Sequence, residues 1–459
     1  MSANEFGMMM LSLSVLLVSV HAVGYLFEKL LQPRLVGEIL AGILLGPWVL
    51  KLLAPNAFTL LFPSGGASAA VYSFLYNLGL ILLMFCAGSE TRRLLAKENR
   101  KETAMLIGVA DVVNFSIVLA LGFAGMLPLA ALTGPKGTET ATLLVLAIAV
   151  AVTSIPVISR IFWDLRIMHT RFVSLILGCS VVEDIALWAV LAVATALASA
   201  GAVGKQVVDT VTGHVFATAV YMIVAMVIAP ALLRRLANWK WNVLQRATPV
   251  GYLLIILFAY CAIASSVGVN IQFAALLAGF GVVGGIQGKE RHRVAAPLDA
   301  ISKMSFAVFV PIYFGIIGYR LVFGREFSMT ILLAFFLGST LLSVLTSGLA
   351  AKLAGFRGLD LINIALTTNA RGGPGIVLAS VAYDAGLINA AFFTTLVLTA
   401  VFTSQVAGAW LRYVLKKGWP LLSTNPDETW LPVPVVGRSG DGFEPATAEL
   451  KPSSGEVAA

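Results

Sequence analysis

Residues 360–384 read DLINIALTTNARGGPGIVLASVAYD. Both ends are as apolar as a membrane-spanning helix requires, but the middle is not. Thr367-Thr368-Asn369-Ala370-Arg371-Gly372-Gly373-Pro374-Gly375 places a cation, an amide, three glycines and a proline in succession. Proline removes a backbone donor and clashes with the preceding turn, and glycine is the weakest ordinary helix former. The stretch therefore predicts a helix unwound at its centre. Unwound backbone at membrane depth survives only inside protein or beside a water-filled cavity.

A second apolar run, 141–162, carries Thr153-Ser154-Ile155-Pro156 and predicts a second break. The rest of the chain supplies the setting. It has 459 residues, 59% hydrophobic and 12% charged, with a mean hydropathy of +0.91. A soluble protein carries about 25% charged residues, and a span needs about 20 apolar residues. Apolar runs fall near 8–27, 35–53, 72–88, 103–132, 141–162, 173–200, 214–233, 250–269, 271–288, 301–323, 328–354, 360–384 and 387–415. The expected fold class is an all-α integral membrane protein of about thirteen transmembrane helices. The two breaks lie in the fifth and twelfth runs. That odd offset makes them antiparallel, as inverted-topology repeats require, and secondary transporters often put their ion site at such breaks. The competing reading is a pair of ordinary kinks.

Charge alternates with the same count. Loops after odd-numbered runs hold Lys29 and Arg34; Arg92, Arg93, Lys97, Arg100 and Lys101; Arg166 and Arg171; Arg234, Arg235, Lys240 and Arg246; Lys289, Arg291 and Arg293; and Arg357. Even-numbered loops hold only Lys136, Lys205 and Arg325. The positive-inside rule then puts the N-terminus outside and the C-terminus in the cytoplasm of a cell (inner) membrane. The net charge of +8 belongs to these loops and does not indicate a nucleic-acid partner. The start, MSANEF, lacks the basic region of a cleaved signal peptide. Residues 1–415 form the expected membrane domain. From 416 to 459 Pro, Ser, Gly and charges replace the apolar runs, as in a flexible cytoplasmic tail.

Between the breaks, in the sixth run, stands Val181-Val182-Glu183-Asp184-Ile185-Ala186. Acids inside spans are costly and are functional candidates by default. Counted from Ser174 at 1.5 Å per residue, Asp184 lies roughly 15 Å deep, near the midplane. Thr153 and Arg371 fall near the same depth. A carboxylate there binds either a small cation or a proton, and one site with two mutually exclusive ligands suffices to couple them. The alternative is a structural ion pair of Glu183 or Asp184 with Arg371.

The segment Gly37-Glu38-Ile39-Leu40-Ala41-Gly42-Ile43-Leu44-Leu45-Gly46-Pro47 resembles the second-helix signature of the cation–proton antiporter superfamily, on the branch of bacterial sodium– and potassium–proton exchangers. Phe85-Cys86-Ala87-Gly88-Ser89-Glu90, Ala275-Leu276-Leu277-Ala278-Gly279, Phe309-Val310-Pro311-Ile312-Tyr313-Phe314 and Asn369-Ala370-Arg371-Gly372 resemble further motifs of that superfamily, in order. Glu183-Asp184 falls where its members carry Asp-Asp, Gln-Asp or Asn-Asp. The resemblance implies a homodimer with a dimerisation part and a mobile core that holds two crossed, unwound helices. It implies Asp184 as the essential carrier of cation and proton, Thr153 and Ser154 as ligands or gates, and Arg371 as the balancing charge. Some electrogenic relatives pair the first acid with a lysine of the tenth span. The candidate here, Lys303, sits near the start of that span.

Other polar groups are expected at the edges of this site. Asn369 flanks the break. Asp111 and Asn114, one turn apart, either line the ion path or make a local polar contact. Glu38 has a funnel-lining or helix N-terminal role. No metal and no cofactor are expected: the four histidines are scattered, and Cys86, Cys179 and Cys261 lack ligand spacing. Gly279-Phe280-Gly281-Val282-Val283-Gly284 matches G-x-G-x-x-G but lies in an apolar run without a preceding strand. Close helix packing is the better account of it. No nucleophile–base pair suggests an enzyme. The expected function is antiport of a monovalent cation, Na⁺ or K⁺, against protons. A potassium-selective exporter or cation uniporter is the alternative, and a membrane sensor a distant one.

Overall fold

The computed structural model describes residues 2–30, 32–62, 65–94, 100–153, 158, 161–162, 165, 167, 170–199, 213, 216–237, 239, 241–285 and 291–423. At some helical positions, Asp184 among them, only the backbone is described. The regular structure is helical, with one isolated bridge between Thr133 and Ile388. In chain order the main helices are α1 (Ala3–Lys29), α2 (Arg34–Leu45), α3 (Gly66–Leu94), α4 (Lys101–Phe123), α5 (Glu139–Ala151), α6 (Arg171–Ser199) and α7 (Phe216–Ala237). They continue as α8 (Pro249–Ser266), α9 (Ile271–Gly285), α10 (Val294–Arg320), α11 (Met329–Leu353), α12 (Leu359–Thr368), α13 (Gly372–Asp384) and α14 (Ala390–Lys416). Among the described residues nine helices are long and apolar enough to cross a membrane, and Glu139–Ala151, Ala186–Leu197 and Ile271–Gly284 are shorter apolar helices. The protein is an all-helical membrane protein.

Local chemistry sets the helix ends. α1 begins before the apolar run because Ser2 and Glu5 form a capping box: the Ser2 hydroxyl accepts from the Glu5 N–H, and the Glu5 carboxylate accepts from the Ser2 N–H at 2.7 Å. α4 stops at Phe123, short of the expected 132, and Gly125 follows at φ 70°, a left-handed conformation that suits glycine. The α11 sequence displays the logic of a lipid-facing helix. Leu333, Leu337, Leu341, Leu345, Leu349 and Leu353 recur every fourth residue and are all exposed, while Ser339, Ser343, Thr346 and Ser347 are buried on another face. One face suits hydrocarbon and the other meets protein.

The helices pack in two groups. α1, α2, α3, α8, α9 and α10 pack mainly on one another, and α7 lies against α9. α4, α5, α6, α11, α12, α13 and α14 form the other group, with α6 also touching α3. The contact of α3 with α9 is a glycine-to-backbone approach. A Cβ on Gly88 would overlap the Leu276 carbonyl, and one on Gly279 would overlap that of Phe85. Gly279, the first residue of the G-x-G-x-x-G match, is therefore a packing residue. Gly279→Leu is expected to cost more than about 3 kcal/mol, because backbone rather than a pliable side chain must move. Thermal unfolding in detergent checks this; an unchanged melting temperature would contradict the close approach.

At one end, Arg320 of α10 pairs with Asp384 of α13 at 2.6 Å, joining the two groups. The Tyr76 hydroxyl donates to the same carboxylate at 3.0 Å. At the chain's other end the expected tail begins later than 416. Ser423 donates to Asp360 through its N–H at 2.8 Å and its hydroxyl at 3.0 Å, and the Asn363 amide donates to the Leu421 carbonyl at 3.0 Å. Leu421 and Leu422 are buried. Residues 420–423 are thus strapped to α12, and 424–459 lie outside the described residues.

Candidate ion site

α5 ends at Ala151, and Val152 is already extended at φ −87°, ψ 136°. The helix stops just before Thr153; Ser154, Ile155 and Pro156 lie outside the described residues. The second break is fully described. α12 stops at Thr368 and α13 restarts at Gly372, whose φ of 26° is strained for any residue with a Cβ. Asn369, Ala370 and Arg371 between them are buried.

Thr153 brings three segments together. Its N–H donates to the Glu183 Oε2 at 2.6 Å, and its hydroxyl donates to the Thr368 carbonyl. The α5 terminus, the acid of α6 and the end of α12 therefore meet at one buried residue. Helix termini leave backbone groups without helical partners, and side chains of the opposite segment satisfy some of them here.

Arg371 ties the same elements from the other side. Its guanidinium donates to the Ser339 hydroxyl at 2.6 Å, to the Ser339 carbonyl at 3.1 Å and to the Ser343 hydroxyl at 3.1 Å. Ser343 in turn donates to the Val150 carbonyl at 3.1 Å, in the last turn of α5. One hydroxyl thus relays a positive charge to the negative, carbonyl end of a helix, where the helix dipole favours a cation. The Arg371 N–H donates to Thr403 Oγ1 at 3.3 Å, and the Gly372 N–H to Ser404 Oγ at 3.1 Å, which fixes the start of α13 on α14. Among the described residues Arg371 has no carboxylate partner. Glu183 is held by Thr153 instead.

A cavity of about 10 Å³ opens between these groups, large enough for about one water molecule. Asp111, Asn114, Thr153, Glu183, Ser343 and Thr368 line it with oxygen-bearing side chains. A π-helical turn over Ile107–Asp111 in α4 ends on Asp111, a distortion that often marks functional sites. Asn114 is buried and accepts from the Thr346 hydroxyl at 2.7 Å. Both polar atoms of the Asn369 side chain, and the hydroxyls of Thr367 and Thr399, are buried without a hydrogen-bond partner among the described residues. Buried polar groups are rarely left so.

Of the expected site residues, Glu183, Thr153, Asp111 and Asn114 come together on this cavity. Arg371 is one hydroxyl away and Asn369 lies in the adjoining break. Asp184 belongs to α6, with its side chain outside the described residues, as is all of Ser154. Lys303 lies on α10, mostly exposed, in an ion pair with Asp299 at 2.7 Å, and is not part of the cavity wall. Glu38 is buried in α2 beside Arg34, at 3.2 Å, which also contacts His21. It too is outside this cavity. Sequence reasoning missed the α11 hydroxyls. Their signal was Ser339, Ser343 and Thr346–Ser347 at helical spacing within an apolar run, a polar stripe at i, i+4 and i+7/i+8.

A buried, oxygen-lined cavity at two helix breaks is the mark of a membrane transporter, and comparison with known proteins agrees. Residues 14–417 match the family described as sodium/hydrogen exchanger, transmembrane. Over 412 residues the chain is 26% identical to the Cation/H(+) antiporter 18 of Arabidopsis thaliana, covering 86% of this chain and 47% of that protein. It is also 26% identical to the Na(+)/H(+)-K(+) antiporter GerN of Bacillus cereus, over 87% of this chain and 95% of GerN. Against the plant protein and the K(+)/H(+) antiporter 1 of Saccharomyces cerevisiae the chain spans about half the relative's length. The fold matches the solved structure of the sodium proton antiporter MjNhaP1 from Methanocaldococcus jannaschii at pH 8. The TM-score is 0.62 at 16% identity, over 90% of this chain and 99% of that one.

The chain belongs to the sodium/hydrogen exchanger family and is a multi-pass membrane protein.

Proposed function

We propose that this protein is a secondary antiporter that exchanges a monovalent cation for protons by alternating access. The observation that carries the reading is the meeting at Thr153 of the end of α5, the end of α12 and a buried acid, backed by a buried guanidinium. Asp184, next to Glu183 on α6, is the carboxylate that binds cation and proton in turn. Thr153 and Ser154 serve as ligands or gates, Asn369 borders the path, and Arg371 balances the charge at the crossing. Relatives named as sodium– or potassium–proton antiporters support the substrate class.

The finer architecture belongs to the same reading. Thirteen spans in inverted repeats, with α12–α13 as one interrupted span, place the two breaks crossed and antiparallel at the midplane. The α1–α3 and α8–α10 group is the dimerisation part of a homodimer. The α4–α6 and α11–α14 group is the mobile core, and the Arg320–Asp384 pair is a contact that core movement must break. Glu183 either holds a second proton, which makes exchange electrogenic, or stays ionised and positions the core.

The function is tested on purified protein in liposomes loaded with a pH dye. Adding NaCl, KCl or LiCl outside should make the lumen alkaline as protons leave against the entering cation. Cation entry without a pH change, in vesicles not limited by membrane voltage, would instead show a uniporter.

Orientation is tested separately. The positive-inside reading puts the N-terminus outside and residues 92–93 and 234–235 in the cytoplasm of the cell membrane. Cysteine introduced at Arg235 should react with an impermeant thiol reagent only from the cytoplasm, and one at Lys136 only from outside. The reverse pattern would overturn the topology.

A further inference from the structure

We infer that Asp111, which lines the same cavity as Glu183, is a direct ligand of the transported cation and helps to determine which cation is carried. The inference rests on the cation–proton exchange proposed above and goes beyond it by naming a ligand on α4, a helix that neither break contains.

Three independent features converge on Asp111. The first is place: it lines the same cavity as Glu183, Thr153 and Thr368. The second is an unmet bond. Its Oδ2 is buried and has no hydrogen-bond partner among the described residues. A carboxylate oxygen only accepts when ionised, so it needs a donor or a cation. Its neighbour one turn on, Asn114, is already engaged through Oδ1 by Thr346. The third is the backbone. The π turn over Ile107–Asp111 widens α4 and ends on the acid itself.

The donor set suits an alkali cation. Carboxylate, amide and hydroxyl oxygens are the ligands of hard ions, and no histidine lines the cavity among the described residues. Cys179 touches the wall but is a soft ligand and a poor match for such an ion. A space of about 10 Å³ admits an ion only with its hydration shell largely stripped. Lost waters must be replaced by protein oxygens, and the two carboxylates that line the cavity do this best. The relay from Arg371 through Ser343 keeps a fixed positive charge one hydroxyl away, which limits the net charge of the empty site.

The test measures proton efflux from proteoliposomes against external NaCl, KCl and LiCl for wild type, Asp111→Asn, Asp111→Glu and Asp184→Asn. Asp111→Asn should raise the half-saturating cation concentration about tenfold or more, the loss of one charged ligand, with a much smaller change in maximal rate. An unchanged half-saturation would overturn the inference. Asp111→Glu keeps the charge but pushes a methylene into the cavity, so it should favour Li⁺ and Na⁺ over K⁺ relative to wild type. It also covers the case in which Asp111→Asn fails to fold: a Glu variant with wild-type ion preference would equally overturn the inference. Asp184→Asn separates the two claims. Retained exchange there sinks the assignment of Asp184 as carrier, whereas the Asp111 variants are judged by half-saturation and ion preference alone.

Discussion

Asp184→Asn is expected to abolish cation–proton exchange while the protein still inserts and folds. The substitution keeps the size and polarity of the side chain but removes its ability to gain and lose a proton. Without that group, cation binding and proton release are no longer alternatives at one atom, and the cycle loses its coupling. The loss should be complete within the sensitivity of a pH-dye assay, larger than that of any ligand substitution. Asp184 adjoins Glu183 on α6, and Glu183 is held at the broken end of α5 by the Thr153 N–H. Helix α6 therefore delivers Glu183 to the end of α5, with Asp184 next to it along the backbone. Monodisperse Asp184→Asn protein, reconstituted at wild-type density, should give no cation-driven pH change. Normal exchange by that protein would sink the mechanism.

Arg371→Ala should be the most damaging substitution to the scaffold of the site. The buried guanidinium supplies three hydrogen bonds to Ser339 and Ser343. Its removal leaves the Ser339 carbonyl and the carbonyl end of α5 without their cation. Unmade buried hydrogen bonds cost about 1–3 kcal/mol each, so a loss of about 3 kcal/mol or more is expected. Transport should fall with it, because the tie from the α12–α13 break through Ser343 to the end of α5 is lost and only the Thr153–Thr368 bond remains. Arg371→Lys keeps the charge but not the planar fork that serves two hydroxyls and a carbonyl at once. It should retain more stability and more transport than the alanine variant. Thermal unfolding in detergent and liposome exchange measure the two effects. Wild-type rates in both variants would show that Arg371 is dispensable.

The break at 369–371 is legible because several rare events coincide at it and just after it: an arginine inside an apolar run, three glycines and a proline; the glycines and the proline themselves fall in the first turn of α13. The break after α5 was legible from Pro156, although the helix stops at Ala151, ahead of the proline. A proline restricts the residue before it but does not by itself fix where a helix ends. The sequence offers Arg371 as the charge that balances the crossing, with an ion pair to Glu183 or Asp184 as the alternative. The described partners of its guanidinium are two hydroxyls and one carbonyl of α11, because a guanidinium with five donors is satisfied by neutral oxygens as well as by carboxylates. Which helix would lie beside the break is a tertiary fact, and the serine stripe of α11 became interpretable only once α12 was seen against it. Lys303 shows the converse limit. Its place near the start of the tenth run fitted a counter-ion, yet Asp299 sits one turn before it on the same helix and takes the ammonium locally. The strap of Ser423 onto Asp360 could not be read from composition, since the residues that dock are followed directly by a polar, proline-rich stretch.

The central claim is that cation and proton compete for one carboxylate site. It is tested most directly by proton release on cation binding, with purified protein in weakly buffered detergent solution titrated with NaCl or KCl at a pH where the site is protonated. Each bound cation should displace about one proton by linkage, and the release should vanish in Asp184→Asn. Cation binding to wild-type protein without proton release would contradict the account.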